Sequence, residues 1–383
     1  MAQPYSYLPL YSDPQQDAAN TLRQELQGLF HVRDVQLRAA DHPDGEIVFT
    51  GRYPHDNDAA YDEIRERFQE VGYTPLLRRE RDHDKLLAFK GVVGAGRTGN
   101  PLVNVALLLA TILTTLAAGA ALAGDNTFFR SLLVADARGV LAAARLGAPF
   151  AITLLGILGV HEFGHYVAAR LHGVTATLPY FIPMPVGGLG TLGAFISVRS
   201  PMKNRTVLFD IGLAGPIAGF VIALPLLVLG IYLSEPVPAF TRALTLQELG
   251  SSVLVDYIIS LVANLGNGET LLLHPIFFAA WFGVLITAIN LLPIGQLDGG
   301  HVAYGLLGRN AHQLARGSLL LLIVAGIVLS PTWLLWAVFV LFGGLHHPPP
   351  LNDITGLNRP RQIAGILTAV LFFLIITPAP FGA

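Results

Sequence analysis

The chain has 383 residues, of which 52% are hydrophobic and only 13% charged, with a mean hydropathy of +0.55. Soluble domains carry about 25% charged residues, so this composition excludes an ordinary soluble enzyme and points to several membrane-crossing helices. A net charge of -2 offers no basic footprint for nucleic acid, and zero cysteines exclude disulfides and thiolate ligands, so any metal must be held by His and carboxylates.

The first 95 residues are dense in charge. Met1 to Asn20 lacks an apolar core, so no signal peptide is expected and targeting falls to the first span. Asp13-Pro14 caps and opens a helix that carries Leu22, Leu26 and Phe30 at helical spacing. Val32 to Leu37 and Glu46 to Gly51 alternate in polarity about an Asp44-Gly45 turn, as a hairpin does. A second helix from about Asp58 to Glu70 and a second strand pair, Tyr73 to Arg78 and Lys85 to Lys90, complete a helix, hairpin, helix, hairpin order. That order predicts a small α+β sandwich of ferredoxin-like kind. No motif in it carries chemistry, and His31, His42, His55 and His83 read as surface residues.

After Gly91 to Asn100, charge nearly disappears. Apolar runs at Pro101 to Ala123, Pro149 to Leu171, Val207 to Leu233, Leu271 to Leu292, Leu319 to Phe342 and Gln362 to Pro378 each approach the roughly 20 residues of a spanning helix. Ser330-Pro331 divides the fifth run. Arg316 before it and Arg359 and Arg361 after it favour a hairpin of two short helices there, giving six or seven spans. The expected fold is a polytopic α-helical membrane protein with a small N-terminal α+β cytoplasmic domain, residues 1–95 forming the head and 96–383 the membrane part. Arg78, Arg79, Arg81, Lys85, Lys90 and Arg97 crowd the approach to the first span and place the head on the cytoplasmic side, although the outer loop Arg130 to Arg145 also carries three arginines.

The second run contains His161-Glu162-Phe163-Gly164-His165. Residues four apart share a helix face, so both imidazoles can converge on one ion while Glu162 stands beside it. Zinc held by three protein ligands keeps one position for water, lowers its pKa to about 7, and leaves a neighbouring carboxylate to act as general base and then acid. Ionisable groups inside a span cost at least about 2.5 kcal/mol each, so this cluster requires partners or a function. The alternative is a self-satisfied polar cluster packing two helices together.

A third ligand should come from another helix ending on the same side. Asn290-Leu291-Leu292-Pro293-Ile294-Gly295-Gln296-Leu297-Asp298-Gly299-Gly300 closes the fourth run and brings Asp298 to the depth of His161 and His165. Asp298 then completes a two-His, one-carboxylate site, the alternative being a loop Asp that caps the next helix. Pro293 ends or kinks the helix, and Gly299 and Gly300 permit close backbone approach. Asn290 is placed either to hydrogen-bond the substrate backbone or a developing oxyanion, or to tie two helices.

These motifs resemble the site-2 protease family of intramembrane zinc metalloproteases. His161, Glu162 and His165 match its His-Glu-x-x-His signature, and Asn290, Pro293, Leu297, Asp298 and Gly299 match Asn-x-x-Pro-x-x-x-Leu-Asp-Gly. With Ala214-Gly215-Pro216 the resemblance covers about residues 150–301. Phe181-Ile182-Pro183-Met184-Pro185 and Leu189-Gly190-Thr191-Leu192-Gly193-Ala194-Phe195 look most like the cyanobacterial and chloroplast branch, and no stretch resembles a PDZ domain.

The resemblance implies cleavage of transmembrane segments within the bilayer, with one Zn2+ per chain and a single-span membrane protein, such as a membrane-anchored regulator, as substrate. A bacterial plasma membrane is the expected location. A helix hides its carbonyls and hydrocarbon excludes water, so the substrate must be unwound. The Gly- and Pro-rich segment 180–198 is expected to dip into the membrane as a loop or hairpin, with Gly193, Phe195 and Ile196 pairing as a strand with the substrate. Its alternative is a purely structural reentrant loop. His172 reads as an interface residue and His301 as a neighbour of the ligands. His274 begins the fourth run far from the site. His346-His347-Pro348-Pro349-Pro350 reads as a stiff connector, with accessory metal binding as the other reading. A metal- or proton-coupled transporter would also bury His and Asp, but would show inverted repeats and have no need of Glu162. An inactive scaffold would tolerate loss of a ligand, and none is missing.

Overall fold

The computed structural model describes residues 13–38, 47–54, 58–80, 82–92, 99–185, 188–239 and 249–380. Two compact units divide the chain. The first comprises Met1–Gly94 with two short segments from far along the sequence, Pro201–Arg205 and Pro349–Gly356.

In this head, α1 (Pro14–Glu25) starts where Asp13 accepts the Gln15 amide at 3.0 Å, and Pro14, lacking an amide hydrogen, takes the first turn. β1 (His31–Leu37), β2 (Ile47–Arg52), α2 (Asp58–Glu70), β3 (Tyr73–Arg79) and β4 (Asp84–Lys90) follow. The strands lie in the order β1-β2-β4-β3 with every pairing antiparallel. This α-β-β-α-β-β succession is the ferredoxin-like β-α-β-β-α-β order begun one element later. Ile47 and Phe49 of β2 lie opposite Ala88 and Leu86 of β4, so all four share one sheet face. Leu22 of α1 and Tyr61, Ile64 and Phe68 of α2 are buried with them in one cluster. The Asp44-Gly45 turn, His42 and His55 lie outside the described residues. His31 is exposed, and His83 pairs with Glu80 at 3.2 Å.

Residues 1–95 are not the whole of this unit. The Leu77 amide of β3 donates to the Leu351 carbonyl at 2.8 Å, and the Leu351 and Asn352 amides donate to Met202 and Lys203 at 2.9 and 2.8 Å. Two borrowed segments thereby lengthen the sheet past β3, and Leu351 and Ile354 enter its core. Buried Arg78 reaches the Pro350 carbonyl at 2.6 Å, and Asn352, fully buried, donates to Asp58 and Thr355. Segments this distant have no local periodicity that would announce them, since their pairing is made through backbone groups.

The second unit contains α3 (Pro101–Leu122), α4 (Phe128–Leu133), α5 (Ala137–Leu171), β5 (Tyr180–Pro183), β6 (Thr191–Phe195), α6 (Arg205–Tyr232), β7 (Glu235–Pro238), α7 (Val253–Val262), β8 (Glu269–Leu272), α8 (Pro275–Asn290), α9 (Asp298–Leu307), α10 (Ala311–Val328), α11 (Thr332–Gly343) and α12 (Arg359–Ile375). Among the described residues four stretches are long and apolar enough to cross a membrane: α3, α5, α6 and the continuous pair α9–α10. Leu102, Val105, Leu109 and Leu113 form an exposed apolar stripe on α3, as a lipid-facing helix requires. At the centre, α8 buries Phe277, Trp281, Val284, Leu285 and Ala288 against Phe150, Leu154 and Ile157 of α5 and Ala223 and Leu227 of α6.

Three boundaries differ from expectation. α5 begins at Ala137, because Asp136 caps it by accepting the Arg138 amide at 3.2 Å, and Pro149 lies inside the helix. Arg138 and Arg145 therefore belong to a helix and not to a loop. Leu271 and Leu272 belong to β8, paired with β7, and Pro275 starts α8 only after this strand. α7 is a ten-residue apolar helix, too short for a span-length pattern to reveal it. The Ser330-Pro331 break does separate α10 from α11, which pack together where Gly326 meets Leu334.

Candidate metal centre

Helical spacing on α5 places His161 and His165 on one face, both buried, with Glu162 buried beside them. The chain after α8 turns through residues 291–297, and Asp298 is the first residue of α9. Its carboxylate meets both imidazoles: Oδ2 lies 3.2 Å from His161 Nε2 and Oδ1 lies 3.2 Å from His165 Nε2. The two Nε2 atoms are themselves 3.2 Å apart. Among the described residues this is the one group of three or more potential metal-ligating side chains whose donor atoms all lie within 4.8 Å of one another.

Hydrogen bonding decides which atoms are offered. His165 Nδ1 lies 2.7 Å from the Ile211 carbonyl of α6, and a carbonyl can only accept, so Nδ1 carries the proton and Nε2 presents its lone pair. Two imidazole nitrogens and a carboxylate turned toward one point in a buried pocket repel unless a cation or proton lies among them. Nitrogen, nitrogen and oxygen are the donor set of a hydrolytic zinc site with a position left for water, so the residues fit the metal.

The close approach of α6 depends on two glycines. A Cβ on Gly215 would collide with the His165 ring, and one on Gly219 would press on the His161 ring at 3.1 to 3.2 Å. Ile211 sits next to Asp210, which accepts a bidentate pair from Arg361 of α12 at 2.7 Å each and lies 3.0 Å from His172 Nε2 at the end of α5. This clamp joins three helices beside the carbonyl that orients His165. His172, read from sequence as an interface residue, thus has a protein partner.

Glu162 and Asn290 lie beside the same point. Glu162 stays outside the ligand group, 4.0 Å from His161 Nε2, and its carboxylate accepts the Ile196 backbone amide. Asn290 Nδ2 lies 3.4 Å from His161 Nε2. β5 and β6 form an antiparallel hairpin in which Tyr180 pairs with Phe195, and their rings stack at 5.4 Å. Phe195 is nearly half exposed. Gly193 has φ +103°, a conformation that disfavours any side chain, and its amide donates to Thr191 Oγ1 at 3.0 Å. His274 caps α8 by accepting the Ile276 amide.

Two residues of α3 were not singled out from the sequence. Asn104 donates to the Leu178 and Pro179 carbonyls at 2.8 and 2.9 Å, and Thr114 Oγ1 donates to the Gly190 carbonyl at 2.6 Å, so α3 holds the hairpin at both ends. The signal was present in Asn104, an amide inside an apolar run that has to find a partner there.

Residues 149–330 match peptidase family M50. This stretch is similar to a site-2 protease domain. The M50 domain's curated relatives include "Probable zinc metalloprotease EGY1, chloroplastic" of Arabidopsis thaliana, 34% identical over 60% of this chain and 42% of the relative. "Probable zinc metalloprotease EGY2, chloroplastic" of the same plant is 31% identical over 62% of this chain and 42% of its own length. The EGY2 protein of Oryza sativa subsp. indica aligns over 88% of this chain and 62% of itself at 28% identity. This chain thus spans about two fifths of the length of the first two. No solved structure matches it. The expected bacterial plasma membrane is overturned, because these relatives are chloroplastic by name; integration into a membrane stands.

Proposed function

We propose that this protein is an intramembrane zinc endopeptidase that cleaves transmembrane segments of membrane proteins. The observation carrying the reading is the convergence of His161, His165 and Asp298 from two helices, with Glu162 beside the group and outside it. Zinc, when held by these three side chains, supplies a Lewis acid for a peptide carbonyl and acidifies water. Glu162 takes the proton from the attacking water and returns it to the leaving amine. The Ile196 amide, by donating to Glu162, fixes that carboxylate toward the site. Asn290 has an amide at the edge of the site and donates to the substrate backbone.

Among the described residues β5 and β6 form a two-stranded sheet, which leaves β6 an outer edge for an unwound substrate, with Ile196 beside Glu162. A single-span protein, such as a membrane-anchored regulator, is the substrate this edge suits. We count six or seven spans, with residues 1–95 supplying most of a head unit that precedes the membrane protease in the chain.

The test compares membrane proteomes of cells carrying the wild type and Glu162→Gln. One intact single-span protein should accumulate in the variant, and the purified variant should keep stoichiometric zinc. Continued cleavage by Glu162→Gln would overturn the mechanism.

A further inference from the structure

The buried ligands leave open how a hydrated cation arrives. His161 and His165 are 4 and 6% exposed and the Asp298 side chain 17%, and stripping water from Zn2+ inside apolar protein is costly unless lone pairs replace it.

Four other histidines lie in a line of ring contacts in the same unit. His301 of α9 stands three residues after Asp298, about one helical turn away. Its ring meets His347 at 4.6 Å between centroids, and His347 meets Tyr304 at 5.2 Å. Tyr304 meets His312 of α10 at 5.6 Å, and His312 meets His346 at 5.1 Å. His346 is exposed, His312 and His301 half-buried and His347 buried. The line therefore runs from the surface to the neighbourhood of Asp298. At its inner end, Gly212 of α6 packs on the His301 Cβ, where any side chain would collide, and against the Asp298 carbonyl.

The two inner rings are set in one tautomer. His301 Nδ1 lies 2.9 Å from the Leu297 carbonyl and His347 Nδ1 lies 2.6 Å from the Pro348 carbonyl. Both Nδ1 atoms must donate, so both Nε2 atoms keep free lone pairs. Burial, with His301 and then His312 beside it, also pushes His347 down to about 3, so that it is neutral at ordinary pH.

We propose that His301 and His347 form a transient two-imidazole station for Zn2+, reached from His346 and His312, through which the metal enters and leaves the His161–His165–Asp298 site. This rests on the zinc reading of that site. Two neutral ligands without a carboxylate bind weakly, which suits a station and not a resident site. Among the described residues the pair belongs to no group of three.

Chelator-stripped full-length protein in detergent is mixed with Zn2+ and a fluorescent zinc indicator, and uptake is followed in time. His301→Asn and His347→Asn keep a donor for the backbone carbonyl and remove the Nε2 lone pair. Each should slow loading roughly ten-fold. Extraction by chelator should slow by the same factor, because a residue on the path changes both rates and leaves the affinity and the single tight equivalent as they were. His346→Asn, a surface change that spares folding, should slow loading several-fold. In a His161→Ala/His165→Ala background one weak equivalent should remain and disappear on adding His347→Asn. Wild-type loading rates in the His347→Asn and His346→Asn variants, or no weak equivalent dependent on His347, would overturn the station. Loss of tight zinc from the wild type itself, or its survival in the double Ala background, would instead overturn the zinc reading.

Discussion

Gly215→Ala tests whether the position of the α6 backbone sets the metal site. The added Cβ would collide with three atoms of the His165 imidazole, Nε2 among them. The ring cannot swing aside cheaply, since Nδ1 is bound to the Ile211 carbonyl at 2.7 Å and Nε2 faces Asp298 at 3.2 Å. Relief requires α6 to move or His165 to leave its place, and overpacking of this kind costs about 1–3 kcal/mol. If that strain falls on the metal-bound state, zinc affinity drops roughly 5- to 150-fold. The assay is chelator competition on purified protein, with helix content by circular dichroism as the folding control. Gly156→Ala on α5 supplies the contrast, because nothing lies within 4 Å of its Cβ, and zinc binding should be unchanged there. Wild-type affinity in Gly215→Ala would refute the argument that α6 positions His165.

Two further perturbations address the surroundings of the same site. Ile196→Pro removes the amide that donates to Glu162; a hydrogen bond to a charged group is worth about 1.5–3 kcal/mol, so turnover should fall roughly 10- to 150-fold with zinc retained. Unchanged turnover of a single-span substrate would show that the amide does not position Glu162. Asp210→Asn breaks the bidentate pair with Arg361 and weakens the link to His172, so unfolding in detergent should occur at a free energy lower by about 1–2 kcal/mol. An unaltered unfolding midpoint would mean that solvent already satisfies these groups.

The parts of the molecule that could be read from sequence are those where chemistry needs particular side chains at a local period. His161 and His165 are one helical turn apart, so their convergence follows from α-helix geometry alone. The head was legible for the same reason, since Leu22 and Leu26, and the strands from Val32 and Ile47, repeat at the helix and strand periods. Asp298 could be placed only by counting spans; α5 starts twelve residues before Pro149 and α8 is shortened by β8, yet Asp298 meets His161 and His165.

What could not be read is carried by backbone groups and by missing atoms. The Ile211 carbonyl that fixes His165 and the Ile196 amide that holds Glu162 would be supplied by any residue at those positions, so no side chain marks them. Gly215 and Gly219 matter for a Cβ they do not have, and a glycine in an apolar helix reads equally well as packing against lipid or against a ligand. Asp210 and Arg361 are 151 residues apart, and each alone looks like a charged residue at a helix end. The ligands thus fix where the metal binds, whereas the backbone of α6 and the hairpin fixes whether ligands and base face the same point. Substitutions that keep every ligand and Glu162 but move α6, such as Gly215→Ala, should therefore weaken zinc binding although no ligand is lost.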